Sequence, residues 1–255
     1  MKDHMTLSGS VPDIRLGMLT PSSNSALEPL TQALLTPVAD RVSAHFARFR
    51  VTQIALGDAS DLQFRQEPIL AAAELLADAR PAVIAWNGTS ASWLGFDRDE
   101  ALCAEITGRT GLPATSAILE LNLWLKQRGI RRLGLVTPYT ADVQARIIAN
   151  YARIGIEIVT ETHAGLTDNF AFSTLPEEQI ARMCRDVAAG VEALAIVCTN
   201  MRGAMVASAV EAQTGVPVLD SVAVTLWGCL TRLGIPTGPL AQFGSVFTLP
   251  RPQPA

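Results

Sequence analysis

The chain has 255 residues, of which 49% are hydrophobic, 5% aromatic and 17% charged. A chain of this length buries about three quarters of the surface it exposes when unfolded, which excludes a peptide, a disulfide-stapled miniprotein and a zinc-dependent micro-domain. Lys and Arg number 20 against 24 Asp and Glu, a net charge of −4 with no basic cluster, so the chain lacks the electrostatic footprint of a nucleic-acid binder.

In chain order, the first ten residues mix both charge signs and lack the apolar run of a signal peptide. Arg15-Leu16-Gly17-Met18-Leu19-Thr20-Pro21 reads as a buried parallel strand stopped by Thr-Pro. An Ala/Leu-rich helix is expected over 67–79, a strand over 83–90, and a second helix over 98–110. Arg132 to Pro138 is another strand, and 142–154 is a helix with Val143, Ile147 and Tyr151 on one face. Pro176, Glu177 and Glu178 open a helix running to about Gly190. A strand over 193–200 follows, then a helix over 201–212. The uncharged stretch 233–250 holds three Pro and three Gly and cannot be a membrane helix, so no membrane partner is expected.

The chain repeats itself. Arg15 to Pro21 returns 117 positions later as Arg132 to Pro138, Val83 to Ser90 returns 110 later as Ala193 to Asn200, and Gly111-Leu112-Pro113 returns 104 later as Gly215-Val216-Pro217. Three matches in one order with drifting offsets indicate duplication with loop changes. The β-α-β-α alternation in each copy predicts an α/β fold of two pseudo-symmetric lobes, each a parallel sheet flanked by helices. Ligands in such sheets bind beyond the carboxyl ends of the strands, which directs attention to Pro21–Asn24, Gly88–Ser90, Thr137–Tyr139 and Cys198–Asn200.

Cys198 ends an apolar strand before the expected helix, so its thiol should lie near a helix N-terminus, where the dipole favours thiolate. A cysteine ending an apolar run is also commonly just a small buried hydrophobe. Cys103, Cys184 and Cys229 sit inside helical patterns and read as packing. The four cysteines have neither C-x-x-C nor metal-ligand spacing, and a reducing compartment, the cytoplasm, would keep them as thiols. Gly88-Thr89-Ser90 offers two hydroxyls and several N–H groups in one turn, suited either to an oxyanion cradle or to an ordinary helix cap. Asn24 and Asn169 are suited to a carboxylate or to a turn.

Pro21-Ser22-Ser23-Asn24 with Glu28, Gly88-Thr89-Ser90-Ala91-Ser92, Thr137-Pro138-Tyr139 with Asp142-Val143, Asp168-Asn169, and Cys198-Thr199-Asn200-Met201-Arg202 together resemble the aspartate/glutamate racemase superfamily. Within it, the chain is similar to the branch of maleate cis–trans isomerases and arylmalonate decarboxylases, from about Ile14 to Gly234. The resemblance implies an enzyme with its active site in the cleft between lobes, no metal or organic cofactor, and a small mono- or dicarboxylate as partner. It also implies a crossing into the second lobe near Ala117 and a return near Ser221, giving lobes of 1–117 plus 221–255 and 118–220. A homo-oligomer is left open.

Racemases and isomerases of this kind carry one cysteine per lobe; here the two positions are Gly88 and Cys198. Glycine has no side chain with which to attack or protonate, and glycine opposite cysteine is the arylmalonate decarboxylase arrangement. By that resemblance Thr89, Ser90, Tyr139 and the N–H of Thr199 would hold an enediolate, and Cys198 would protonate it. Asn24 and Asn169, with Ser23, Pro21 and Asn200 beside them, match isomerase positions that bind a second carboxylate. The expectation is therefore a cofactor-independent decarboxylase of a substituted malonate or similar dicarboxylate. The alternatives are an isomerase-like or racemase-like enzyme and a carboxylate-binding protein.

Overall fold

The computed structural model describes residues 12–51 and 66–248; the N-terminal decapeptide and the last two residues of 233–250 lie outside them. The first apolar run forms β1 (Ile14–Pro21), which pairs in parallel with β2 (Val42–Phe49) and β3 (Val83–Trp86), and β4 (Ala114–Ser116) lies beyond β3. The strand order β2-β1-β3-β4 recurs in a second sheet as β6-β5-β7-β8. Its strands are β5 (Arg132–Thr137), β6 (Glu157–His163), β7 (Ala193–Ile196) and β8 (Val218–Asp220), again all parallel.

The duplication extends to register. Leu16 pairs with Val83 in the first sheet and Leu133 with Ala193 in the second, so the offsets of 117 and 110 carry one pair onto the other. Ile84 pairs with Ala114, and Leu194 with Val218, which does the same for 110 and 104. Every residue of β3 and β7 is buried, because helices cover both faces of a parallel sheet, and this makes their apolar runs continuous rather than alternating.

Helix α1 (Leu27–Leu35) connects β1 towards β2, α2 (Gln66–Ala77) leads into β3, and α3 (Ala91–Leu94) with α4 (Asp97–Thr110) connects β3 to β4. After α5 (Ala117–Arg128), the second sheet is served by α6 (Ala141–Arg153), α7 (Asn169–Phe172), α8 (Glu177–Asp186) and α9 (Ala207–Thr214). Val143, Ile147 and Tyr151 are buried on one face of α6, as their spacing predicts. The helix expected from Met201 does not start there. Arg202 takes φ −91° and ψ +43°, outside the helical region, a 3-10 turn spans Gly203–Met205, and α9 begins only at Ala207.

The duplicated strand ends β4 and β8 each hand over to a capped helix. Ser116 Oγ accepts the N–H of Leu119 at 3.1 Å, and Asp220 Oδ1 accepts those of Val222 and Ala223 at 2.8 and 3.0 Å, at the start of α5 and of α10 (Ser221–Arg232). Each cap contributes about 1 kcal/mol. Helix α10 packs against α1 and α5. Among the described residues no helix is long and apolar enough to cross a membrane.

Candidate active site

Strands β1 and β3 are neighbours at the centre of one sheet, as are β5 and β7 in the other, and residues at or just beyond the carboxyl ends of all four line one cavity. There they enclose a cavity of about 20 Å³. From the first sheet come Pro21, Gly88, Thr89 and Ser90, and from the second Tyr139, Cys198 and Thr199, with Asn169 at the start of α7. A volume of about 20 Å³ admits roughly one water, so any dicarboxylate must displace part of this wall on entry.

Cys198 is 2% exposed. Its sulfur accepts the N–H of Asn200 at 3.3 Å, which favours thiolate, but burial outweighs this and pushes the thiol up to about 12. The thiolate expected from a nearby helix N-terminus is thus corrected. No helix begins at Met201, and burial favours the neutral thiol. Burial and the adjacent Cys198 likewise hold Tyr139 well above the ordinary phenol range, as a neutral hydroxyl 2.7 Å from Thr89 Oγ1. The Ser90 hydroxyl has no protein partner among the described residues. No charged side chain among the described residues lines the cavity.

The other sequence candidates stand behind this wall and join the lobes. Asn24 is 1% exposed; its Oδ1 accepts the N–H groups of Ala26 and Leu27, and its Nδ2 donates to Thr199 Oγ1 at 3.1 Å. The Thr199 hydroxyl in turn donates to the Asn87 carbonyl at 2.9 Å. Asn200 Oδ1 accepts from the backbone of Ser25 and Ala26, and its Nδ2 donates to the Asn169 carbonyl. Asn169 Nδ2 donates to Ser23 Oγ at 2.8 Å. Of the two amides matched to a carboxylate, Asn169 lines the cavity, whereas Asn24 is engaged at both ends in holding α1 and Thr199.

Three residues escaped the sequence reading. Val51 and Trp93 complete the wall, and Trp93 meets Tyr139 edge-on, with ring centroids 5.1 Å apart. Trp86 explains Gly88: a Cβ at position 88 would lie 1.9 Å from Trp86 Cζ2, inside the indole. The available signal was the spacing, since residues two apart at a strand end project to the same side.

Residues 27–245 match the family described as arylmalonate decarboxylase. The chain belongs to that family. Its relatives include both activities expected above. Maleate isomerase of Nocardia farcinica is 27% identical over 232 residues, covering 87% of this chain and 91% of the relative. Arylmalonate decarboxylase of Bordetella bronchiseptica is 25% identical over 221 residues, covering 82% and 92%. Most of the curated relatives are named maleate isomerase. The fold matches a Nocardia farcinica maleate isomerase, a cysteine-to-serine mutant with a covalently bound succinylcysteine intermediate. That comparison has a TM-score of 0.82 at 24% identity and covers 92% of this chain and 98% of the other.

Proposed function

We propose that this family member decarboxylates an α-substituted malonate or similar dicarboxylate and protonates the resulting enediolate from Cys198. The observation that carries the reading is one thiol, Cys198, in the cavity wall, with Gly88 packed against an indole at the equivalent strand end of the other sheet; burial favours the neutral thiol. A neutral thiol is a proton donor and a poor nucleophile, since thiolate is the attacking species.

The cavity wall holds both kinds of surface this reaction needs. Thr89, Ser90 and Tyr139 supply hydroxyls to one carboxylate, while Pro21, Val51 and Trp93 present apolar surface to the other. A carboxylate pressed against apolar surface without a cation loses solvation that neutral carbon dioxide does not need. When the C–C bond breaks, its electron pair stays on the α-carbon and spreads onto the remaining carboxylate, where the hydroxyls receive the charge. The Cys198 proton then forms the new C–H bond. The thiolate left behind regains a proton from solvent buffered near neutrality, favourably because its pKa of about 12 lies well above that pH.

Isomerisation is the second reading, favoured by the names of most curated relatives and by Asn169 in the wall. It requires Cys198 to ionise and add to an alkene. Supplying phenylmalonate, methylmalonate and maleate separately to the protein and to a Cys198→Ala variant discriminates the two. Carbon dioxide from a malonate, lost in the variant, supports decarboxylation. Fumarate from maleate, lost in the variant, replaces it by isomerisation.

A further inference from the structure

We infer that Trp86 is a specificity-determining residue, the partition that keeps the catalytic cavity small and closed on its Gly88 side. This deepens the function proposed above, and its substrate terms rest on that reading. Three contacts fix the indole at the end of β3. Its Nε1 donates to Asp99 Oδ1 at 3.1 Å, Asp99 is itself held by the Ser116 hydroxyl, and Phe49 packs on the ring with centroids 5.0 Å apart. So placed, the ring occupies the position of any β-carbon at 88, with three of its atoms at 1.9 to 2.4 Å.

Behind this partition lies a cavity of about 330 Å³, lined by Trp86 and Ser90 together with Ile69, Leu94, Arg98 and Leu102. Ser90 also lines the catalytic cavity of about 20 Å³. The two spaces therefore meet at Ser90, and the indole, which lines the larger one, lies against Gly88 of the smaller. With Trp86 in place, a ligand's α-substituent is confined to the small side and no group from position 88 reaches it. A shorter side chain at 86 opens the larger cavity, whose lining mixes Ile69, Leu94 and Leu102 with Asp97, Arg98 and Asp99, to an aryl or branched alkyl substituent.

Two independent legs test this. In the first, Gly88→Cys is made alone and in a Trp86→Leu background, and Tm is measured for all four proteins of the cycle. The expected result is a large drop for Gly88→Cys alone that shrinks when Trp86 is shortened; additive effects overturn the steric claim. In the second, binding of propionate and phenylacetate to wild type, Trp86→Leu and the gentler Trp86→Phe is measured by titration calorimetry. At least a tenfold shift of the affinity ratio towards phenylacetate is expected in Trp86→Leu, with Trp86→Phe intermediate. An unchanged ratio overturns the specificity role, and if Trp86→Leu does not fold, Trp86→Phe decides. Because these probes are monocarboxylates, the second leg reads out whether or not the wild type decarboxylates anything. Absence of decarboxylation with a shifted ratio would remove the proposed reaction and leave the partition standing.

Discussion

At the scale of single residues, the chemistry turns on how burial sets Cys198. A thiol pushed up to about 12 stays protonated across the range in which the protein would be assayed, so proton donation should show no loss on the alkaline side up to about pH 9. The measurement is kcat against pH with a malonate that turns over; a fall of the limb near 7 to 8 would mean an ionising thiol. Removing the donor by Cys198→Ala should lower kcat by about 10²–10⁴-fold, the usual contribution of a positioned acid. Iodoacetamide at neutral pH should modify Cys198 no faster than Cys184, which burial also raises to about 12. Asn24 offers a contrast between framework and ligand roles. Its carbonyl oxygen holds the start of α1 and its amide reaches Thr199, so Asn24→Ala should cost about 1–3 kcal/mol of stability in urea unfolding. A variant of unchanged stability but greatly raised KM would instead make it a carboxylate ligand.

Among elements, the strand ends dominate, and here the sequence was informative about order and poor about boundaries. The runs at Leu16, Val83, Leu133 and Ala193 announced buried strands because helices on both faces leave no polar alternation, and their offsets even carry the pairing register. The helix read from Met201 starts six residues later, at Ala207, because Arg202 takes a backbone angle outside the helical region. The strand-end caps have a pH signature. Burial raises the Asp220 carboxyl to about 7, so the folded state holds a proton that the unfolded chain releases at ordinary carboxylate pH. Stability contributed through this group is present at low pH and declines as pH rises from about 4 to 7. Asp220→Asn keeps an acceptor for Val222 and Ala223, so its Tm should gain on the wild type across that interval. A constant or shrinking difference would show that the buried carboxyl carries no such cost.

For the whole molecule, duplication places two half-sites face to face, and the proposed reaction rests on the asymmetry between them. Gly88 and Cys198 occupy equivalent strand ends, offset by 110, and only the second carries a reactive atom. That much was legible in the sequence, as was the turn of hydroxyls at Thr89 and Ser90. The seam was not, because the bonds of Asn24 to Thr199, Asn200 to Ser25 and Asn169 to Ser23 join residues about 150 positions or more apart, and a linear reading assigns such amides to ligands or turns. Trp86 was missed for a related reason: its indole looks like core until the missing β-carbon at 88 shows what it displaces.

The central claim, a proton delivered to one face by one thiol, is tested most directly by a proton and deuterium NMR time course in D₂O with α-ethyl-α-methylmalonate, the product's enantiomers being resolved with a chiral shift reagent. The account predicts 2-methylbutyrate carrying one deuterium at the α-carbon, as a single enantiomer, with turnover lost in Cys198→Ala. Racemic product, or undiminished turnover in that variant, would contradict it.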